Sequence, residues 1–247
     1  KRIPGFQSIA LLTFVCLYGP ILILIAYSFN SSTSLGVFES FSFRWYVTAW
    51  ENEKVQEAAL RSIYLATIAA TIATIAATMA AIATTRTKKF RGITFIYVII
   101  NQPLMIPEIV TAVALLVFFA MIKIATGYQG MMYLIIAHTA FCIPFAYLPI
   151  QARLNGMDNT LETAAADLYG RSFQIFRRIT LPLLMPGILA GFMLAFVTSL
   201  DDVVITLFVK SAGQDTLPTY MLAQIRRSIT TEVNAISTVL LAATVLL

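Results

Sequence analysis

The sequence is poor in the side chains that soluble chemistry draws on. It has one histidine, two cysteines and only 12% charged residues. His138 alone cannot build a metal ligand set, so its expected role is hydrogen-bonded packing. Cys16 and Cys142 both fall inside apolar runs and read as small hydrophobes, with no disulfide framework and no metal spacing. No Gly-x4-Gly-Lys-Ser/Thr phosphate loop occurs, which excludes ATP hydrolysis by that route. Internal repeats and low-complexity linkers are absent too, so one membrane domain accounts for the chain. The short alternating segments of a membrane barrel are likewise missing. The net charge of +5 is mild, and its Lys and Arg cluster in loops beside apolar runs, which argues against a nucleic-acid partner.

Hydrophobic residues are what the chain has in quantity, at 59%. A bilayer-spanning helix needs about 20 mostly apolar residues. Runs of that order recur at 9–29, 59–84, 93–122, 131–150, 183–208 and from 233 onward. The predicted fold class is therefore an all-α polytopic membrane protein with six transmembrane helices. The first run is longer than a signal-peptide core and lacks a small-residue cleavage site, so it reads as a span with Lys1 and Arg2 inside. Arg86-Thr87-Lys88-Lys89-Phe90-Arg91 carries four positive charges and no acid, marking a cytoplasmic loop. The chain starts without Met and stops within an apolar run, so both native ends are expected to lie beyond it. Residues 1–58 are taken as an N-terminal helix with an outer segment, and 59–247 as the main domain.

Several residues sit oddly in this apolar setting. Thr67, Thr71, Thr74 and Thr78 form a stripe flanked by alanines, read either as tight helix packing, the favoured alternative, or as a polar path. Pro103 and Pro107 interrupt the third run and place Glu108 at membrane depth or near the outer interface. Ser199-Leu200-Asp201-Asp202 puts two adjacent carboxylates in the fifth run. They point about 100° apart on a helix, too far for one partner to satisfy both. A carboxylate in a span costs roughly 2–3 kcal/mol even on the lenient insertion scale and usually faces a cavity. Each is read either as lining a pathway or as a structural pairing. Trp45 and Tyr46 stand either as interfacial anchors or beside that pathway.

One polar stretch stands apart between the fourth and fifth runs. Asp158 to Thr160 offer N-cap oxygens and Glu162 follows in the first turn. Gly170 suits the left-handed residue that ends a helix, and Ser172 can cap the next one. Leu161, Ala165 and Leu168, with Ala164 beside them, share one face at helical spacing. This predicts a cytoplasmic helix-turn-helix with a flat, small face fit for a cleft on another protein.

Segment 161–187 resembles the EAA loop of type I ABC-transporter permeases. The loop's form is Glu-Ala-Ala, three residues, Gly, nine residues, then Ile-x-Leu-Pro. Alignment on Ile179-x-Leu181-Pro182 sets Thr163 at the motif glutamate, Ala164 and Ala165 at the alanine pair, and Tyr169 at the motif glycine. Glu162 falls one place early and Gly170 one place late. Tyr18-Gly19-Pro20, Phe43-x-Trp45-Tyr46, Pro107-Glu108-Ile109-Val110, Ser199 to Val204 and Glu232-Val233-Asn234-Ala235 are similar to the second, C-type permease subunit of spermidine/putrescine importers. The resemblance implies a MetI-like transmembrane fold in the bacterial inner membrane with both termini cytoplasmic. It implies a second permease subunit, two cytoplasmic ATP-binding subunits and a periplasmic substrate-binding protein. It also implies no cofactor in this chain, ATP and Mg²⁺ falling to the partner ATPase subunits, and no catalytic residue of its own.

Within that frame the loop at 158–182 supplies the ATPase coupling residues, namely Glu162, Thr163, Ala164, Ala165, Asp167, Gly170, Leu181 and Pro182. Trp45, Glu108, Asp201 and Asp202 are the substrate-pathway candidates, since carboxylates and an aromatic face are what a desolvated polyamine needs. The same architecture importing aminoethylphosphonate, an opine, a GABA-like compound or ferric ion is the alternative. An integral-membrane enzyme acting on lipid-linked substrates, with Mg²⁺ on Asp201 and Asp202, is opposed by the lack of a second acidic pair and of a histidine cluster. A channel or receptor component is opposed by the helix-turn-helix.

Overall fold

The computed structural model describes residues 6–33, 37–86, 91–227 and 231–246. Lys1, Arg2 and the Thr87–Phe90 part of the basic loop lie outside the described residues. The described chain is almost wholly helical: α1 (Phe6–Ser28), α2 (Arg44–Glu51), α3 (Glu53–Arg86), α4 (Ile93–Met105), α5 (Glu108–Thr126), α6 (Met131–Asn155), α7 (Thr160–Asp167) and α8 (Ser172–Ile175). A π-helical turn, Phe176–Thr180, leads into α9 (Leu181–Asp201), α10 (Val204–Val209), α11 (Leu217–Arg227) and α12 (Thr231–Leu246). Five stretches are long and apolar enough to cross a membrane: Ser8–Ser28, Glu53–Arg86, Glu108–Thr126, Met131–Asn155 and Ser172–Asp201. Ile93–Met105 and Thr231–Leu246 are shorter apolar helices.

Two expected spans are therefore broken. The run at 93–122 divides at Ile106, which is extended, and Pro107, whose ψ of 131° is also outside the helical region. A proline pushes its preceding residue out of the helical region, and that places the stop. Pro103 is carried inside α4. The run at 183–208 divides at Asp202, whose ψ of 129° ends α9 before α10 begins. The aspartates thus stand at a break and not in mid-helix.

The chain forms two compact units, one of residues up to Ala59 with Thr219 onward, the other Leu60–Pro218. In the first, α12 packs against α1 and α2. A turn knotted around Asn30 precedes α2. The Asn30 side chain donates to Val37 O at 2.7 Å and accepts from the Glu39 N–H at 3.0 Å, while its own carbonyl takes the Trp45 indole N–H at 2.8 Å. Phe29 stacks on Phe41 with ring centroids 5.1 Å apart.

In the second unit α6 packs along α9, and small residues set the spacing. A Cβ on Gly191 would come 2.6 Å from Ala146 O, and one on Gly187 2.6 Å from Arg153 Cβ. This Gly-x-x-x-Gly pair lets the helices meet closely where lipid offers no hydrophobic drive. On α3 the packing face is alanine: Ala66, Ala69, Ala70, Ala73, Ala77 and Ala81 are fully buried. The threonine stripe is mostly self-satisfied. The hydroxyls of Thr67, Thr71 and Thr78 donate to carbonyls one turn back in the same helix, and Thr67 and Thr71 are exposed.

Candidate functional site

The two groups of candidate residues occupy different places. Those assigned to coupling gather on the hairpin of α7 and α8, apart from Leu181 and Pro182 on α9. Asp158 starts it: its carboxylate accepts from the Thr160 backbone N–H at 3.0 Å and the Thr160 hydroxyl at 2.8 Å. Those two bonds favour the ionised form and hold its carboxyl below the usual carboxylate range. Arg171, not Ser172, occupies the cap position of α8, and its N–H donates to the Gln174 side chain at 3.3 Å.

The end of α7 corrects an expectation. The left-handed residue is Tyr169, with φ of 59°, and not Gly170. Gly170 N–H donates to Ala165 O and Tyr169 N–H to Ala166 O, each at 3.0 Å. This is the paired bonding of a Schellman turn with tyrosine where glycine usually stands. Gly170 is needed for a different reason, because a Cβ there would meet Ala165 O at 2.7 Å.

The hairpin is capped and bonded internally yet presents apolar side chains outward. Leu161 is 54% exposed, Leu168 82%, Tyr169 97% and Phe173 71%. Thr163, Ala164 and Asp167 are exposed as well, and Ala165 is half-buried. Glu162 turns the other way: its carboxylate accepts from Thr180 Oγ1 at 2.9 Å and lies 3.5 Å from Arg86 Nη2. Leu181 and Pro182 begin α9, so Pro182 hands the chain on and does not close it.

The pathway candidates divide three ways. Trp45 is in the first unit, buried, with its indole N–H bonded to Asn30 O and the Arg44 guanidinium 5.3 Å from its ring centroid. Asp201 is exposed, and Asp202 beside it is only 6% exposed. Asp202 caps α10, accepting from the Thr206 N–H at 2.9 Å, the Thr206 hydroxyl at 2.8 Å and the Ile205 N–H at 3.3 Å. Glu108 stands at the first turn of α5, just after the break at Ile106 and Pro107. Thus the structure buries Asp202 within its own cap and leaves Asp201 exposed.

His138 completes this node. Its Nδ1 shares a 2.8 Å hydrogen bond with Ser199 Oγ, and its Nε2 shares one of 2.9 Å with Thr206 Oγ1. Nε2 also lies 3.4 Å from Asp202 Oδ2. A buried imidazole with both nitrogens engaged is fully satisfied. Ser199, Thr206, Arg86 and Thr180 were not marked as site residues by the sequence. Hydroxyls within apolar runs carry no pattern that distinguishes a partner from a bystander.

Comparison with known proteins places these features. Residues 73–247 match the family of binding-protein-dependent transport system inner membrane components. The putrescine transport system permease protein PotI of Escherichia coli (strain K12) is 38% identical over 245 residues, 98% of this chain and 87% of its own. The spermidine/putrescine transport system permease protein PotC of the same strain is 36% identical over 225 residues, 91% of this chain and 84% of its own. Both relatives are permease proteins and not enzymes. A chain from the crystal structure of a bacterial ABC transporter that imports the acidic polysaccharide alginate shares the fold. It does so with a TM-score of 0.72 at 14% identity, over 96% of this chain and 88% of that one. The chain is a permease: it belongs to the family of inner membrane components of binding-protein-dependent transport systems.

Proposed function

We propose that this permease forms half of the translocation pathway of an ATP-driven polyamine importer and that the α7–α8 hairpin is where an ATPase subunit docks. The observation that carries the coupling role is the outward apolar face of Leu161, Leu168, Tyr169 and Phe173 on a hairpin closed by its own backbone hydrogen bonds. Exposed Arg171, Arg177 and Arg178 flank that face and favour acidic groups on the docking surface. The partners in this reading are two cytoplasmic ATP-binding subunits holding ATP and Mg²⁺, a second permease and a substrate-binding protein. The hairpin and both termini are cytoplasmic, and residues 59–247 constitute the permease domain.

The polyamine assignment rests on the 36–38% identity to permeases of putrescine and spermidine systems and on the carboxylates of Glu108, Asp201 and Asp202. Asp201, exposed beside a buried neighbour, is the member free to meet an ammonium group. Trp45, with its indole N–H on Asn30 O and its ring already beside the Arg44 guanidinium, contributes through packing.

The hairpin assignment is tested by replacing Ala164 and Ala165 with leucine in the assembled complex. Loss of ATPase subunits from the purified membrane complex is the expected result, and unchanged co-purification rejects docking at this site. Uptake by Asp201→Asn tests the pathway, where a normal rate removes Asp201 from it.

A further inference from the structure

Glu162 is the acidic residue of the first turn of α7, yet it does not face the side from which a partner would approach. Its Oε1 lies 3.5 Å from Arg86 Nη2 and accepts the 2.9 Å hydrogen bond of Thr180 Oγ1. Arg86 is the last residue of α3, and Thr180 is the last residue of the π-helical turn that runs without a gap into α9. One carboxylate therefore fastens the hairpin to the ends of two long apolar helices.

Three features make this more than a surface ion pair. The Arg86 and Glu162 side chains are only 18% and 23% exposed, so water and salt screen the pair less than an open one. Thr180 is 6% exposed, and its hydroxyl donates to this carboxylate. The segment from Phe176 to Thr180 is π-helical, a rare winding that is frequent at functional sites. The contact is also single and separable. Among the described residues Arg86 Nε and Nη2 have no hydrogen-bond partner, so these atoms meet the carboxylate by charge at one oxygen and not as a two-pronged fork. The rest of the hairpin, by contrast, is tied by its own backbone bonds.

We propose that Glu162 is a positioning residue, the latch through which displacement of the hairpin is passed to α3 by way of Arg86 and to α9 by way of Thr180. The proposal rests on the hairpin being the ATPase docking site. It assigns Glu162 to transmission inside this chain and leaves docking to the outward face of Leu161, Leu168, Tyr169 and Phe173. Without the latch the ATPase subunits still bind and turn over, but their motion is not delivered to the spanning helices.

The test uses the complete complex with both permeases, the ATPase subunits and the binding protein in proteoliposomes. Glu162→Gln removes the negative charge with little change of shape, and Arg86→Gln removes the positive charge. The exchange Glu162→Arg with Arg86→Glu restores opposite charges. Three quantities are read: ATPase subunits retained, ATP hydrolysed and substrate taken up. Both single variants are expected to retain the ATPase subunits and to hydrolyse ATP near the wild-type rate, while uptake per ATP falls roughly fivefold or more. The exchange is expected to recover most of the lost coupling. Release of the ATPase subunits by Glu162→Gln would make Glu162 a docking contact and overturn the proposal. A fall in hydrolysis in step with uptake, unchanged uptake per ATP, or failure of the exchange would overturn it too. Thr180→Val, which keeps both charges and removes only the hydroxyl, is expected to lower coupling to a smaller extent, and full coupling in it would remove α9 from the route. Retention of ATPase subunits by the Ala164→Leu, Ala165→Leu variant is a separate result: it rejects docking at the hairpin, whatever the latch variants do.

Discussion

His138 and Asp202, separated by 64 positions in the chain, face one another in the second unit with Nε2 3.4 Å from Oδ2 and both side chains at most 2% exposed. The aspartate stands where α9 stops, and the histidine on α6 also bonds Ser199 before the break and Thr206 after it. The break between α9 and α10 is thus held from outside by one imidazole. Asp202 supplies the cap that the four unbonded N–H groups at a helix start require.

This arrangement separates two neighbouring aspartates by consequence. Asp202→Ala removes the cap of α10 and takes away the carboxylate acceptor of the Ile205 N–H, the Thr206 N–H and the Thr206 hydroxyl in a buried place. It should cost about 2–4 kcal/mol. Asp201→Ala, at an exposed position, should stay within about 0.5 kcal/mol of wild type. Unfolding of the detergent-solubilised protein checks both, and equal losses would contradict the assignment.

Tyr169 holds a left-handed conformation that glycine adopts without a steric penalty. Tyr169→Gly should therefore stabilise the turn by roughly 1 kcal/mol, since a side chain in that region costs about 1–2 kcal/mol. The same change removes a ring that is 97% exposed. Opposite effects are expected, greater hairpin protection against proteolysis together with weaker retention of ATPase subunits. Unchanged retention would show that the ring takes no part in docking.

Gly170→Ala should do what Tyr169→Gly does not. Its Cβ would press to 2.7 Å from a backbone oxygen, which cannot swing aside as a side-chain tip can. Opening of the Schellman turn is expected, with a loss of about 1–3 kcal/mol locally, visible as faster amide exchange at Tyr169 and Gly170. Unaltered exchange at both would mean that the turn has slack.

The spanning helices were legible because length and apolar content are set by the bilayer and need no knowledge of partners. The stop at Ile106 was legible to within a few residues, since a proline constrains its predecessor locally. The stop at Asp202 was not. Nothing in Leu200-Asp201-Asp202-Val203 breaks a helix by itself, and the residue that fixes the break, His138, is distant in sequence. The αL position at Tyr169 was misplaced onto Gly170 for a related reason. Glycine adopts φ > 0 most easily, but here a close approach to Ala165 O claims the glycine, so the next residue toward α7 takes the turn. The outward face of α7 was visible in the spacing of Leu161 and Leu168. The inward turn of Glu162 depends on Arg86 and Thr180, which lie in other elements.

Acid should loosen the hairpin at its start. The Asp158 carboxyl sits below its ordinary value in the folded hairpin because the ionised form accepts two bonds from Thr160. A lowered folded-state pKa contributes stability that is complete above the unfolded value, about 3.9, and is lost as pH falls through the folded one. Amide protection at Thr160 should decline on acidification below about pH 4 in wild type and should not depend on pH in that range in Asp158→Ala. Identical acid responses would contradict the capping role.

The most direct measurement is uptake by proteoliposomes holding the complete complex and its binding protein, with ATP supplied on the side of the ATPase subunits. Labelled putrescine or spermidine should accumulate only when ATP is present, and should not be displaced by aminoethylphosphonate, GABA or ferric ion. Accumulation of one of those solutes with neither polyamine taken up, or polyamine entry that is the same without ATP, would contradict the account.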